Sequence, residues 1–359
     1  MSDFLVRRDD LRECRVAESE PPEIGPGEAL LRVDSFGLTA NNVTYAVMGE
    51  AMRYWDFFPA PEGWGLVPMW GFAGVERSEA DGVEAGTRVY GYLPPSSYLA
   101  VKPTGADETG FVDGAAHRAK LPAAYQRYAA SGPDPFYSPD TEAMQMLLRP
   151  LFLTSFLIDD QLDDDGLAER GPVLVSSASS KTAIAAAFLL ARREGVELVA
   201  LTSPGNAAFV EGLGIYDRTV PYAEVGSLER GPVTYVDVAG NGEVRRAVHE
   251  RFGDELLHSM AVGVTHWEDF GSGAGGELPG PPPTLFFAPD RIVKRAEDWG
   301  GDGLMQRAAE AWIPFRDWIG GWLETIPGQG FGALEDAWAE VIEGRITPSA
   351  AHVVSLGQA

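Results

Sequence analysis

Residues 173–191, VLVSSASSKTAIAAAFLLA, pass from a short apolar strand through a run of small residues into an alanine-rich helix. A strand that turns tightly into a helix gathers the free backbone N–H groups of the helix N-terminus at one point, which suits a pyrophosphate. The glycines usual at such a turn are absent. Ser177, Ser180 and Ala183 stand where a Gly-x-x-Gly-x-x-Gly spacing would place them. Serine and alanine are small enough for close approach but enter the left-handed backbone region only at a cost. The hydroxyls of Ser177, Ser179, Ser180 and Thr182, and the amine of Lys181, are candidate donors to a phosphate. The competing reading is a serine-capped helix behind a buried strand.

The alternation continues on both sides. Downstream, strands are predicted at 197–201, 233–238 and 257–262, with helical spacing at 207–213 and 243–252; this order is that of a parallel α/β sheet. Thr284 to Ala288 fits one more strand, and 312–323 and 334–343 read as helices. Residues 271–283, GSGAGGELPGPPP, read as a flexible loop. Upstream, β-prone pieces at 28–34, 74–76, 87–92 and 98–101 alternate with glycine and proline turns. A loop carrying Trp55, Phe57, Phe58, Trp64 and Trp70 is expected to close over something. The acidic run Asp159, Asp160 and Asp163–Asp165 lacks calcium-loop spacing and reads as a solvated turn.

At 359 residues the chain is long enough for two or three domains. It carries 28 Lys+Arg against 53 Asp+Glu, a net charge of −25. Such a surface repels phosphate backbones and anionic lipid, so neither nucleic acid nor membrane is expected as a partner. No apolar run approaches the roughly 20 residues of a membrane helix. The first ten residues hold no apolar signal segment, and a cytoplasmic location is expected. The single cysteine, Cys14, excludes an intrachain disulfide and any zinc site with two thiolates. Neither a Gly-x-Ser-x-Gly elbow nor a Ser/His/Asp order occurs, so hydrolase chemistry finds no support.

The segments GEALLRVDSFGL (27–38) and GFAGVERSEADGVEAGTRVYGYLPPSSYLAVKP (71–103) precede the 173–191 crossover, and LVALTSPGNAAFVEGLGIYDRTVPY (198–222) follows it. This ordered series resembles the medium-chain dehydrogenase/reductase superfamily, in particular its zinc-free quinone reductase and enoyl reductase branches. Val83 to Gly91 is similar to that family's Val-x-x-x-Gly-Asp-Arg-Val-x-Gly segment, with Thr87 in place of the aspartate. Gly212-Leu213-Gly214 resembles the segment after the second Rossmann helix, and Val233 to Gly240 the strand that reaches the nicotinamide. The resemblance implies an α/β chain: a GroES-like β-rich catalytic domain plus a Rossmann-type doubly wound parallel sheet domain. Residues 1–149 would form the first, with an insertion near 107–146, and 150–290 the second. Residues 291–359 would return to the catalytic domain. The aromatic insertion either reshapes a substrate cleft or forms a packed lobe.

The zinc-dependent branch needs a cysteine just after Gly37-Leu38 and a four-cysteine lobe near residue 100. This chain has Thr39-Ala40-Asn41-Asn42 at the first place and no cysteine at the second, so no catalytic metal is expected. Asn42 falls at the position of the zinc-free branch's aspartate. The resemblance implies that Asn42 hydrogen-bonds a substrate carbonyl while Tyr45 protonates the developing enolate; the alternative is that both cap and pack a short helix. Gly240 and His266 would lie at the nicotinamide, whereas His249 reads as a surface residue. The second strand runs into Thr202-Ser203-Pro204-Gly205-Asn206 without a carboxylate, which favours NADPH over NADH, with Ser203 and Asn206 as phosphate donors unless they merely begin the next helix. The implied activity is a zinc-independent, NADPH-dependent oxidoreductase reducing an α,β-unsaturated carbonyl or quinone-like small molecule. The alternatives are a redox-neutral lyase or isomerase using Lys181 or Tyr45, and a non-catalytic binding protein. The strand at 284–288 implies a homodimer paired edge to edge.

Overall fold

The computed structural model describes residues 1–262 and 278–357. The chain divides into two units, Met1–Pro150 with Trp318–Ala359, and Leu151–Asp317.

The first unit is β-rich because short strands, several of them buried over consecutive positions, run between frequent turns. Its elements run β1 (Ser2–Arg7), β2 (Cys14–Glu18), β3 (Ala29–Leu38), α1 (Ala40–Val47), β4 (Trp64–Gly65), β5 (Met69–Ser78), β6 (Arg88–Leu93), β7 (Tyr98–Val101), β8 (Pro103–Asp107), β9 (Gly110–Asp113) and β10 (Arg127–Ala130). α2 (Glu142–Asp164) then leads into the second unit, which holds β11 (Val173–Ser176), α3 (Lys181–Leu190), β12 (Leu198–Thr202), α4 (Ala207–Gly212), β13 (Arg218–Pro221), β14 (Val233–Asp237), α5 (Gly242–Phe252), β15 (Leu256–Ala261), β16 (Thr284–Leu285), α6 (Ala288–Trp299) and α7 (Gly301–Ile319). The chain rejoins the first unit at Trp318 and adds β17 (Glu324–Gln329), α8 (Gly330–Ile342) and β18 (Ala350–Ser355). The return therefore falls later than the expected residue 291, because α6 and most of α7 stay with the second unit.

The large sheet of the first unit is ordered β17-β18-β3-β5-β6-β10-β9-β8, with β7 also paired to β3. Gly71 allows β5 to lie against β3: a Cβ there would fall 2.2 Å from the Ser35 carbonyl oxygen. α8 buries Leu334, Ala337, Trp338 and Val341, the i, i+3, i+4, i+7 stripe of a helix packed on one face. The segment 107–146 is built into the sheet through β9 and β10. Tyr128 stacks on Phe111 at 5.4 Å, and the buried Arg118 pairs with Asp113 at 3.1 Å. The aromatic stretch after residue 54 belongs to this core as well. Trp55, Phe57 and Phe58 are buried, and a Cβ at Gly49 or Gly65 would strike the Trp55 ring at 2.0 or 2.4 Å.

The second unit carries a six-stranded parallel sheet ordered β13-β12-β11-β14-β15-β16. β11, β12 and β14 are buried at every position, as parallel strands covered on both faces must be. The whole of Ala183–Leu190 is buried, which explains the alanine-rich helix.

Three sequence expectations change here. The acidic run is the end of α2, and it is an ion-pair seam. Asp160 and Asp164, one helical turn apart, meet Arg291 and Arg295, one turn apart on α6, at 2.6–2.9 Å. Asp159 pairs with Arg193 at 2.6 Å. His249 is fully buried: its ring nitrogens lie 2.9 Å from the Pro279 carbonyl oxygen and 2.9 Å from Ser259 Oγ, and burial lowers its pKa. The strand at 284–288 is only two residues long, since Pro289 opens α6. Among the described residues, no helix is long and apolar enough to cross a membrane.

Candidate functional site

The turn after β11 keeps the shape that glycine normally gives. Ser177 adopts φ +52°, one of two non-glycine residues with positive φ among those described. Its backbone N–H donates to the Tyr222 hydroxyl at 3.1 Å, and its carbonyl accepts from Ser180 N at 2.7 Å. These two bonds, together with Ala178 N donating to the Leu201 carbonyl, over-determine the strained residue. Ser180 is the N-cap of α3; its Oγ accepts from Ala183 N at 3.3 Å. Behind the turn, Ser176 Oγ donates to the buried Asp237, which also accepts from Gly240 N at 3.0 Å and Arg245 Nε at 2.7 Å. Gly240 itself takes φ +62°.

Lys181 and Thr182 open α3 and are half-buried. Burial pushes the Lys181 amine down to about 8. The Thr182 carbonyl accepts from Ser155 Oγ at 2.8 Å, anchoring the helix start to α2. Asn206 Nδ2 donates to Ser179 Oγ at 3.0 Å, so the first turn and the end of the second strand meet. Neither Ser203 nor Asn206 makes a side-chain capping bond. Ser177, Ser179, Ser180, Lys181, Thr182, Ser203, Asn206 and Gly240 thus gather around the carboxyl ends of β11, β12 and β14. His266 lies outside the described residues.

The donor set fits an anionic dinucleotide in its chemistry. It offers a helix N-terminus, serine and threonine hydroxyls and one amine, with no carboxylate after β12 to oppose a 2′-phosphate. It departs from the usual cradle in carrying side chains where glycines would leave bare backbone.

In the first unit, Thr39 and Asn42 form a capping box at the start of α1. Asn42 Oδ1 accepts from Thr39 N at 2.9 Å, and its Nδ2 donates to the Pro68 carbonyl at 3.1 Å. This buried amide is committed to holding α1 against the segment before β5. One turn on, the buried Tyr45 oxygen accepts from Asn41 Nδ2 at 2.7 Å and from Trp70 Nε1 at 3.2 Å. The Tyr45 ring stands 4.8 Å from Tyr54 and 5.5 Å from Tyr92, the latter edge-on, and Tyr125 packs 4.8 Å from Tyr92. Burial raises the pKa of each of these tyrosines. Asn41, Trp70 and Tyr92 were not candidates from sequence. Only the Asn41/Tyr45 pair had a local signal, an i, i+4 spacing on one helix face. Among the described residues, no group of three His, Cys, Asp or Glu is placed to hold a metal.

Solved structures share this architecture. CurA from Vibrio vulnificus, in complex with NADPH, is 15% identical with TM-score 0.63, covering 100% of both chains. The yhdH oxidoreductase from Salmonella enterica in complex with NADP is 17% identical with TM-score 0.56, covering 99% of this chain and 100% of that one. The quinone oxidoreductase from Thermus thermophilus is 19% identical with TM-score 0.54, covering 99% and 100%. This likeness shows that the chain has the two-domain fold of the medium-chain dehydrogenase/reductases. No curated protein matches the sequence. A family model described as a protein of unknown function, DUF2855, matches residues 36–347, and the chain belongs to that family.

Proposed function

We propose that the protein is a zinc-independent, NADPH-dependent oxidoreductase that reduces an α,β-unsaturated carbonyl or quinone-like small molecule. The observation that carries this reading is Ser177 at φ +52°: the strand-to-helix turn preserves the glycine geometry without the glycine, ahead of a helix start bearing Lys181 and Thr182. CurA, the yhdH oxidoreductase and the Thermus quinone oxidoreductase, all with this fold, are described with NADPH or NADP. Ser177, Ser179, Ser180, Lys181 and Thr182 would hold the pyrophosphate, Ser203 and Asn206 the 2′-phosphate, and Gly240 and His266 the nicotinamide end. The bound cofactor would supply hydride. Tyr45 would donate a hydrogen bond and then a proton to the substrate oxygen side, and Asn42 would keep α1, and so Tyr45, in place.

The test is a fluorescence titration of purified protein with NADPH, followed by a 340 nm assay against enones and quinones with and without chelator. NADPH binding and chelator-insensitive turnover support the reading. Absence of NADPH binding removes it. The lowered Lys181 pKa favours one rival, a redox-neutral lyase or isomerase working through a Lys181 Schiff base. A borohydride-trapped mass shift on Lys181 with a carbonyl substrate would establish that chemistry instead. We further propose a homodimer through the edge strand β16, where Leu285 and Phe287 are about half exposed. A monomeric mass in light scattering at micromolar concentration excludes it.

A further inference from the structure

The first backbone donor of the strand-to-helix turn, the N–H of Ser177, is already filled by a phenol. A left-handed residue in a turn ahead of a helix aims successive N–H groups into one concavity, the usual backbone receptor for an anion. At Ser177, with φ +52°, the N–H instead donates to the Tyr222 hydroxyl oxygen at 3.1 Å. Tyr222 follows Pro221, the last residue of β13. The ladders pair Pro221 with Thr202, and Leu201 with Ser176, so Tyr222 and Ser177 both lie just past the carboxyl edge of the sheet. Their strands are two apart, with β12 between them, a separation of about 9–10 Å. The Tyr222 side chain therefore reaches across the end of β12, where Ser203 and Asn206 follow. The half-buried ring packs on the cluster of Leu174, Val199, Leu201 and Val220, which fixes its course. One N–H cannot serve the phenol and a ligand oxygen at full strength, and a charged phosphate oxygen makes roughly twice the bond that a neutral phenol does.

We propose that Tyr222 is a positioning residue that sets the anion affinity of this turn: its hydroxyl stands in for a phosphate oxygen on Ser177 N, holding the left-handed residue without a glycine and withdrawing a backbone donor from the ligand. Two effects follow from the one bond. The turn keeps its path when empty, and recognition passes to the Ser177, Ser179 and Thr182 hydroxyls, the Lys181 amine and the first N–H groups of α3. A bare pyrophosphate is then held poorly, and affinity has to come from the rest of a dinucleotide. That the ligand is a dinucleotide rests on the reductase reading; the hold of Tyr222 on Ser177 does not.

The experiment titrates inorganic pyrophosphate, and separately NADPH, into the full-length wild type, Tyr222→Phe, Ser177→Gly and the double variant by calorimetry, and records the thermal unfolding of each. Phenylalanine keeps the ring and removes only the hydroxyl. In the glycine background the turn holds its shape without Tyr222, so the double variant should bind pyrophosphate about fivefold more tightly than Ser177→Gly, the worth of one freed hydrogen bond. A role in stability alone would give no such gain. Tyr222→Phe should lower the unfolding temperature more in the serine background than in the glycine one, because only serine needs holding at positive φ. No gain in pyrophosphate affinity in the glycine background, or no pyrophosphate binding by any of these proteins, overturns the inference. Equal losses of stability in the two backgrounds overturn the claim that Tyr222 replaces a glycine. The NADPH titration keeps the two readings apart. A pyrophosphate gain without NADPH binding sinks the reductase and leaves the role of Tyr222, and NADPH binding without the gain does the reverse.

Discussion

Replacing Ser177 by glycine isolates the strain in the candidate cofactor turn. At φ +52° an L-residue bears a cost of roughly 1–2 kcal/mol that glycine does not. Glycine loses more backbone entropy on folding, roughly 0.5–1 kcal/mol, so Ser177→Gly should stabilise the protein by about 0.5–1 kcal/mol net. Both contacts that fix the residue, with the Tyr222 hydroxyl and with Ser180 N, are made by the backbone and survive the change. Ser177→Ala is the control: it keeps the strain and removes only the hydroxyl, so its stability should match the wild type. At about 2–4 °C per kcal/mol for a unit of this size, scanning calorimetry should show the glycine variant's transition raised by about 1–4 °C. NADPH titration then reads the hydroxyl separately. If Ser177 donates to a phosphate, both variants should lose about fivefold in affinity, the worth of one hydrogen bond of about 1 kcal/mol. A glycine variant that melts below the alanine variant would refute the claim that Ser177 occupies a glycine position under strain.

Lys181 loses its charge as pH rises through about 8, so NADPH affinity should fall between about pH 7 and pH 9, and Lys181→Met should bind weakly with a flat profile. Stability of the cofactor-free protein should move the other way: the unfolded chain holds that proton up to about 10.5, so stability rises with pH between about 8 and 10.5, measured by denaturant titration. Ser203→Asp places a carboxylate after the second strand and should weaken NADPH by about tenfold while NADH gains; an unchanged ratio in paired titrations removes Ser203 from the 2′-phosphate site. Asp160→Asn removes one of the two carboxylates that Arg291 and Arg295 share, Asp164 being the other, and should cost about 1.5–3 kcal/mol, with a loss under about 0.5 kcal/mol in denaturant unfolding showing the seam to be ornamental.

Most of the parallel sheet was legible from residues 173–262 because β11, β12 and β14 are buried along their whole length, a local property, whereas β13, RTVP, carries no apolar run and was not expected. What was hidden depends on distant partners. Nothing around Asp159–Asp165 shows that Arg291 and Arg295, about 130 residues on, will turn an acidic run into a buried seam. His249 reads as a polar position on an amphipathic helix, and only Ser259 and the Pro279 carbonyl, by bonding both ring nitrogens, offset its burial. The site shows the same division. Ser177 was legible as a residue in a glycine's place, and Tyr45 as a hydroxyl near the start of the chain. Trp70, on β5, reaches Tyr45 only because the sheet folds it there, and Tyr92 stands edge-on to Tyr45 only in the packed ring cluster.

The substitution of serine for glycine changes more than strain. A glycine loop meets a phosphate with backbone N–H groups, which no side-chain mutation can remove. Here the first turn keeps its path, but Ser177 N is committed to Tyr222 and Ser180 N to the Ser177 carbonyl, so two backbone donors of the turn are already used inside the chain. If a dinucleotide binds, the remaining recognition falls on the first N–H groups of α3 and on side chains: the hydroxyls of Ser177, Ser179 and Thr182 and the amine of Lys181. Recognition by hydroxyls and one titratable amine is weaker per contact and dependent on pH, where a glycine loop is neither. It is also separable residue by residue. Single substitutions at Ser177, Lys181 and Ser203 should therefore each move cofactor affinity measurably in this chain, where a backbone cradle would leave it nearly unmoved.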